Sequence, residues 1–150
     1  MTIEKDLKQT KPFKNAHQRA LVNLLYTSRY AEASLQKFYK QQGITLKQFN
    51  ILRILRGAGE PISTQVIRER MIDRMSDISR IVDRLVTKGV VTKIANPTDK
   101  RLVDITLNDA GRDLVQVVTE QLEAKGQALP HLSEAEARQL SELLDKVRGY

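Results

Sequence analysis

A chain of 150 residues and 17.1 kDa, 41% hydrophobic and 29% charged, is long enough for one domain with a substantial core and too apolar for intrinsic disorder. It has no cysteine, which excludes a disulfide framework, a cysteine-type zinc finger and a thiol redox sensor; no membrane-length apolar run and no signal-peptide pattern follow Glu4 and Asp6, so a cytoplasmic protein with no membrane partner is expected. The net charge of +7 is uneven: residues 1–60 carry 11 Lys/Arg against 4 Asp/Glu, 61–104 carry 9 against 6, and 105–150 carry 5 against 8, so the first two thirds could face a polyanion and the last third would do so poorly.

Residues 1–13 are polar, lysine-rich and contain Pro12, and read as a basic N-terminal arm. From Lys14 to Lys40, His17, Leu21, Leu24, Leu25, Ser28, Ala31, Leu35 and Phe38 recur at helical spacing, and Gly43 is a stop. So long a stripe on a terminal helix exceeds what its own domain can cover and calls for a second subunit.

Thr45 and Gln48 form a capping box, with Ile44 and Phe49 as its hydrophobic staple. Leu46, Phe49, Leu52 and Leu55 then face a core, and Gly57-Ala58-Gly59 ends that helix. Ser63 caps a short helix over 64–71 with Val66, Ile67 and Met71 inward. After a break at 72–74 a further helix runs to Gly89, with Met75, Ile78, Ile81, Val82 and Leu85 inward and Asp73 as the preferred cap.

The period then changes. Residues 90–94 and 102–107 read as two strands joined by the turn Asn96-Pro97-Thr98-Asp99. Asn108 or Asp109 caps the next helix, which carries Leu114, Val117, Val118, Leu122 and extends toward Leu129. Ser133 and Glu136 form a second capping box, and Ala137, Leu140, Leu143, Leu144 and Val147 line the last helix. The fold class is therefore mainly α with a small β-hairpin wing: a winged helix-turn-helix core with long N- and C-terminal dimerisation helices. The domain runs over 14–147, with a DNA-binding lobe at 45–107 and dimerisation helices at 14–40 and 109–147.

In a winged helix-turn-helix, the second helix of the pair enters the major groove by its N-terminal part. Here its outward side offers Ser76, Asp77, Ser79, Arg80, Asp83 and Arg84. Hydroxyls and guanidinium groups suit base edges and phosphates, and Arg80 can fork onto a guanine edge. The bland reading of Arg80 and Arg84 is a solvated face with ion pairs to Asp77 and Asp83; the hairpin that follows favours the DNA reading. Asp77 is either a direct reader of cytosine or a helix-capping charge. Ser63, Thr64 and Gln65 can anchor phosphate through side chains and backbone N–H groups. Lys100 and Arg101 at the hairpin tip can reach the minor groove, whereas the plain alternative is a polar tip stiffened by Asp99.

The stretches SDISRIVDRLVTKGVVTK at 76–93 and PTDKRLVDITLNDAG at 97–111 resemble the MarR family of winged-helix regulators, a likeness that covers about 14–147. It implies a homodimer, a repressor, bound to double-stranded DNA at pseudo-palindromic operators, with no cofactor. It matches Ser76, Ser79 and Arg80 to groove-facing positions, Arg101 to a minor-groove arginine and Asp99 to the acid that steadies it. Asp77 departs from the more usual threonine. The resemblance also implies a small aromatic or phenolic effector, for which His17, Tyr26 and Tyr30 are the candidate pocket residues; a core or dimer seam is the alternative for all three.

Catalysis is not expected. His17 and His131 do not form a ligand-spaced pair, and no phosphate loop, HExxH motif or nucleophile elbow is present. The rival reading is a winged-helix module that binds a protein rather than DNA.

Overall fold

Local side chain–backbone bonds start most of the helices in the computed structural model, which describes residues 2–124 and 129–150. Asn15 caps the long helix α2 (Ala16–Gln41) by accepting from Gln18 N; the short helix α1 (Ile3–Asp6) precedes it. Thr45 and Gln48 make the expected reciprocal box at the start of α3 (Leu46–Ala58), and Gly59 closes that helix in the left-handed conformation. Ser63 caps α4 (Thr64–Arg70), and Ser133 with Glu136 boxes α7 (Glu134–Val147). Between them lie α5 (Ile78–Thr87), β2 (Val91–Ala95), β3 (Val103–Leu107) and α6 (Asp109–Ala124). Any continuation of α6 toward Leu129 lies outside the described residues.

The wing is more than a hairpin. A two-residue strand, β1 (Ile62–Ser63), pairs antiparallel with β3, placing Ile62 opposite Ile105 and Ser63 opposite Asp104. The order β1-β3-β2 makes β3 central, with Val91 opposite Leu107 and Ile94 opposite Asp104 on its other side.

The core sits under this sheet. Ile51 and Leu52 of α3, Ile67 of α4, Ile78, Val82 and Leu85 of α5, Ile105 of β3 and Val115 and Val118 of α6 are fully buried. Each contributes roughly 1.5–3 kcal/mol of apolar burial. Two further devices join α5, the wing and α6. Asn108 accepts from Gly111 N and donates to Gly89 O, tying the cap of α6 to the end of α5. Gly111 lies so close to the chain that a Cβ there would stand 2.0 Å from Val90 O.

Within the arm over 1–13, Ile3 is buried and Glu4 pairs with Arg19 at 2.6 Å. Three expectations about α5 change. The start of α5 lies at Asp77, not Asp73. Asp73 instead holds the preceding turn, accepting from Met75 N, Ser76 Oγ and Lys47 Nζ. As a result Met75, expected inward, is 94% exposed, while Ser76, expected on the outward face, is 8% exposed.

Away from this core the terminal helices carry exposed apolar side chains. Leu21 and Leu25 of α2, Val117 of α6, and Leu140, Leu143 and Val147 of α7 are exposed, and α7 contributes no buried residue.

Candidate nucleic-acid interface

The start of α5 is fixed by one carboxylate. Asp77 accepts from Arg80 N and so satisfies a backbone donor that the first helical turn would otherwise leave open. This capping geometry gives the Asp77 side chain a local task. The other neighbouring acid, Asp83, pairs with Lys93 of β2. Arg80 and Arg84 therefore do not have the intrahelical partners that a solvated ion-pair face would give them. Both are exposed, and neither guanidinium has an ion pair among the described residues.

At the wing tip, Asp99 accepts from Arg101 N and Nε at 3.0 and 3.1 Å through one oxygen and from Nη2 at 3.1 Å through the other. The guanidinium beside it holds the Asp99 carboxyl below the usual carboxylate range, and Asp99 in turn raises Arg101. Two of the five guanidinium N–H donors are used, leaving three for another acceptor. The Arg101 side chain is still 90% exposed. Lys100 is exposed beside it.

These pieces converge. A cleft of about 380 Å³ is lined by Ser63, Thr64 and Gln65 at the start of α4, Ser79 of α5, and Lys93 and Arg101 of the wing. Arg80 and Arg84 lie on the exposed face of the same helix as Ser79. Ser76 is not part of this surface: it is buried and donates to Asp73 at 2.9 Å. Lys93, which the sequence places in a strand without a role, is part of it.

The three candidate effector residues divide. Tyr26 and Tyr30 line a cleft of about 590 Å³ between α1 and α2, together with Ile3, Arg19, Asn23 and Thr27. His17 is exposed and is not among its lining residues. Among the described residues there is no group of three or more His, Cys, Asp or Glu arranged to hold a metal. None of the described helices is long and apolar enough to cross a membrane.

Comparison with known proteins places this arrangement. A sequence model of the MarR family matches residues 42–102, which span α3 to the wing tip. The HTH-type transcriptional regulator PecS of Dickeya dadantii is 32% identical over 123 residues, covering 79% of this chain and 74% of that protein. The multiple antibiotic resistance protein MarR of Escherichia coli is 32% identical over 102 residues, covering 60% of this chain and 70% of that protein. The crystal structure of a mutant Escherichia coli MarR complexed with operator DNA superposes with a TM-score of 0.74 at 26% identity, covering 85% of this chain and 93% of that one.

Proposed function

Because this chain belongs to the MarR family of DNA-binding transcriptional regulators, we propose that it acts as a homodimeric repressor of a pseudo-palindromic operator. The reading is carried by one observation: Arg101, held outward by Asp99, shares a cleft with Ser79 and with Ser63, Thr64 and Gln65. Cationic side chains with hydroxyls between them are the partners that phosphates and base edges take.

In this reading residues 45–107 form the DNA-binding lobe. The first turns of α5 enter the major groove, where Ser79 and Arg80 meet base edges, and Arg84 meets phosphate. Ser63, Thr64 and Gln65 contact the backbone through their side chains. Lys100 and Arg101 follow the adjacent minor groove. Asp77 acts by fixing where α5 begins.

One such lobe offers a small interface. Two, related by a two-fold axis and about 34–36 Å apart, read half-sites one helical turn apart. The helices at 14–40 and 109–147 supply the seam: the exposed leucines of α2 and α7 and Val117 of α6 are the apolar surface that a second copy covers. A small aromatic or phenolic effector entering the cleft at Tyr26 and Tyr30, which has the volume of a small-molecule site, would bias the spacing of the two lobes and so release DNA.

Selection of bound fragments from random duplex DNA tests the proposal. Enrichment of a two-fold symmetric site supports it. No enriched site, with a protein recovered in complex instead, supports the rival protein-binding module.

A further inference from the structure

We propose that Asn96 and Asp104, at the root of the wing tip, are positioning residues that hold Arg101 ready for the duplex; this deepens the DNA-binding reading and rests on it. Asp104 lies in the central strand β3, between Ser63 of β1 and Ile94 of β2, and is 6% exposed. A carboxylate in such a place is costly unless it finds a donor. Its donor is the Asn96 amide, at 2.8 Å from Nδ2.

The other end of that amide organises the tip. Asn96 Oδ1 accepts from Thr98 N at 2.9 Å, Thr98 Oγ1 at 2.6 Å and Asp99 N at 3.0 Å. Backbone bonds from Asn96 N to Leu102 O and from Leu102 N to Asp99 O close the loop. Asp99 then grips Arg101 through three bonds. One continuous run of hydrogen bonds thus leads from the middle of the sheet to an exposed guanidinium.

A carboxamide suits the joint because it donates at one end and accepts at the other. A satisfied buried polar network selects one conformation, so the tip is ordered before any ligand arrives. Hairpin tips with a free arginine must give up that freedom on binding. Here the turn, and not the arginine alone, carries the preorganisation.

The test exchanges the two groups. Asn96→Asp keeps the acceptor that holds the turn but sets a second carboxylate against Asp104. Adding Asp104→Asn restores one donor and one acceptor with the parent's net charge. Parent, single and double variants are each compared with and without Arg101→Ala. Two readouts are taken: amide hydrogen exchange at Asp99 and Arg101 in the free protein, and affinity for a duplex enriched from a random pool.

Asn96→Asp is expected to lose protection at both amides and to bind about tenfold more weakly. Arg101→Ala should cost about tenfold in the parent and less than about twofold in that background. The double variant should return both readouts to the parent's. Where Asn96→Asp prevents folding, Asn96→Ala removes the joint without a second carboxylate and carries the same expectations. Retained protection in the single variant overturns the relay. Lost protection with the full cost of Arg101→Ala unchanged overturns the positioning role. A parent that enriches no duplex overturns the DNA-binding reading and the positioning role with it, an outcome seen before any variant is made.

Discussion

Asp83 of α5 accepts from Lys93 Nζ of β2, so the two parts of the proposed DNA surface are joined by side chains as well as by the chain. Both groups are substantially exposed. Such a pair adds at most about 1 kcal/mol to folding, and its larger effect is to neutralise a cation in the cleft.

Asp83→Asn should therefore change urea stability by no more than about 1 kcal/mol. It should also free Lys93, steepening the salt dependence of duplex binding by about one counterion. Titrations of affinity against salt concentration, parent and variant side by side, check this. An unchanged slope would show that Lys93 does not reach phosphate.

Gly111→Ala reverses the usual sign of a helical glycine replacement. In an open helix the alanine is the better residue. Here its Cβ would meet Val90 O at 2.0 Å and Leu107 Cδ2 at 3.0 Å; the first is backbone and cannot rotate away. The expected outcome is a loss of about 1–3 kcal/mol by chemical denaturation. The start of α6 must shift away from the end of α5 to make room.

The arm is latched by charge, and its pH dependence has a definite sign. The Arg19 guanidinium lowers the Glu4 carboxyl from 4.5 to about 2. Stabilisation from that depressed carboxyl is complete above 4.5 and is lost as pH falls toward and through about 2. Asp73 behaves with the same sign, lowered chiefly by Lys47 and then by Ser76 and the Met75 amide. Hydrogen exchange in the arm, followed across this acid range, should show loosening on acidification in the parent. In Glu4→Gln the arm should already be loose, with little further change.

Dimerisation should separate from folding of the winged lobe. Because α7 adds nothing to the core, Leu143→Glu combined with Leu25→Glu should give a monomer by sedimentation. The circular dichroism of the lobe should stay close to the parent's. A variant that remains a dimer would place the seam elsewhere.

These relationships also explain what could be read from sequence. The boxes at Thr45–Gln48 and Ser133–Glu136 and the cap at Ser63 were legible because each is decided within four residues. The start of α5 was not. Asp73 and Asp77 are equally good local caps, and the choice is made by Lys47 on α3 and by the buried Ser76. That four-residue displacement turned Met75 outward and Ser76 inward. The strand β1 has only two residues, too few for a period, and exists through its pairing with β3. In the site, Ser63, Thr64, Gln65, Ser79 and Arg101 could be gathered because they follow caps and turns. Lys93 and the Asn96–Asp104 joint escaped notice because a strand residue's role depends on which strand lies opposite. Tyr26 and Tyr30 share a cleft that forms only once α1 docks.

The central claim is that Arg80 and Arg101 meet the same duplex from two elements. Affinity for a selected duplex should fall by about tenfold or more on Arg80→Ala, with relaxed preference at one base pair. On Arg101→Ala it should fall about tenfold, with a salt slope smaller by about one. Undiminished binding at moderate salt after both substitutions together would contradict the account.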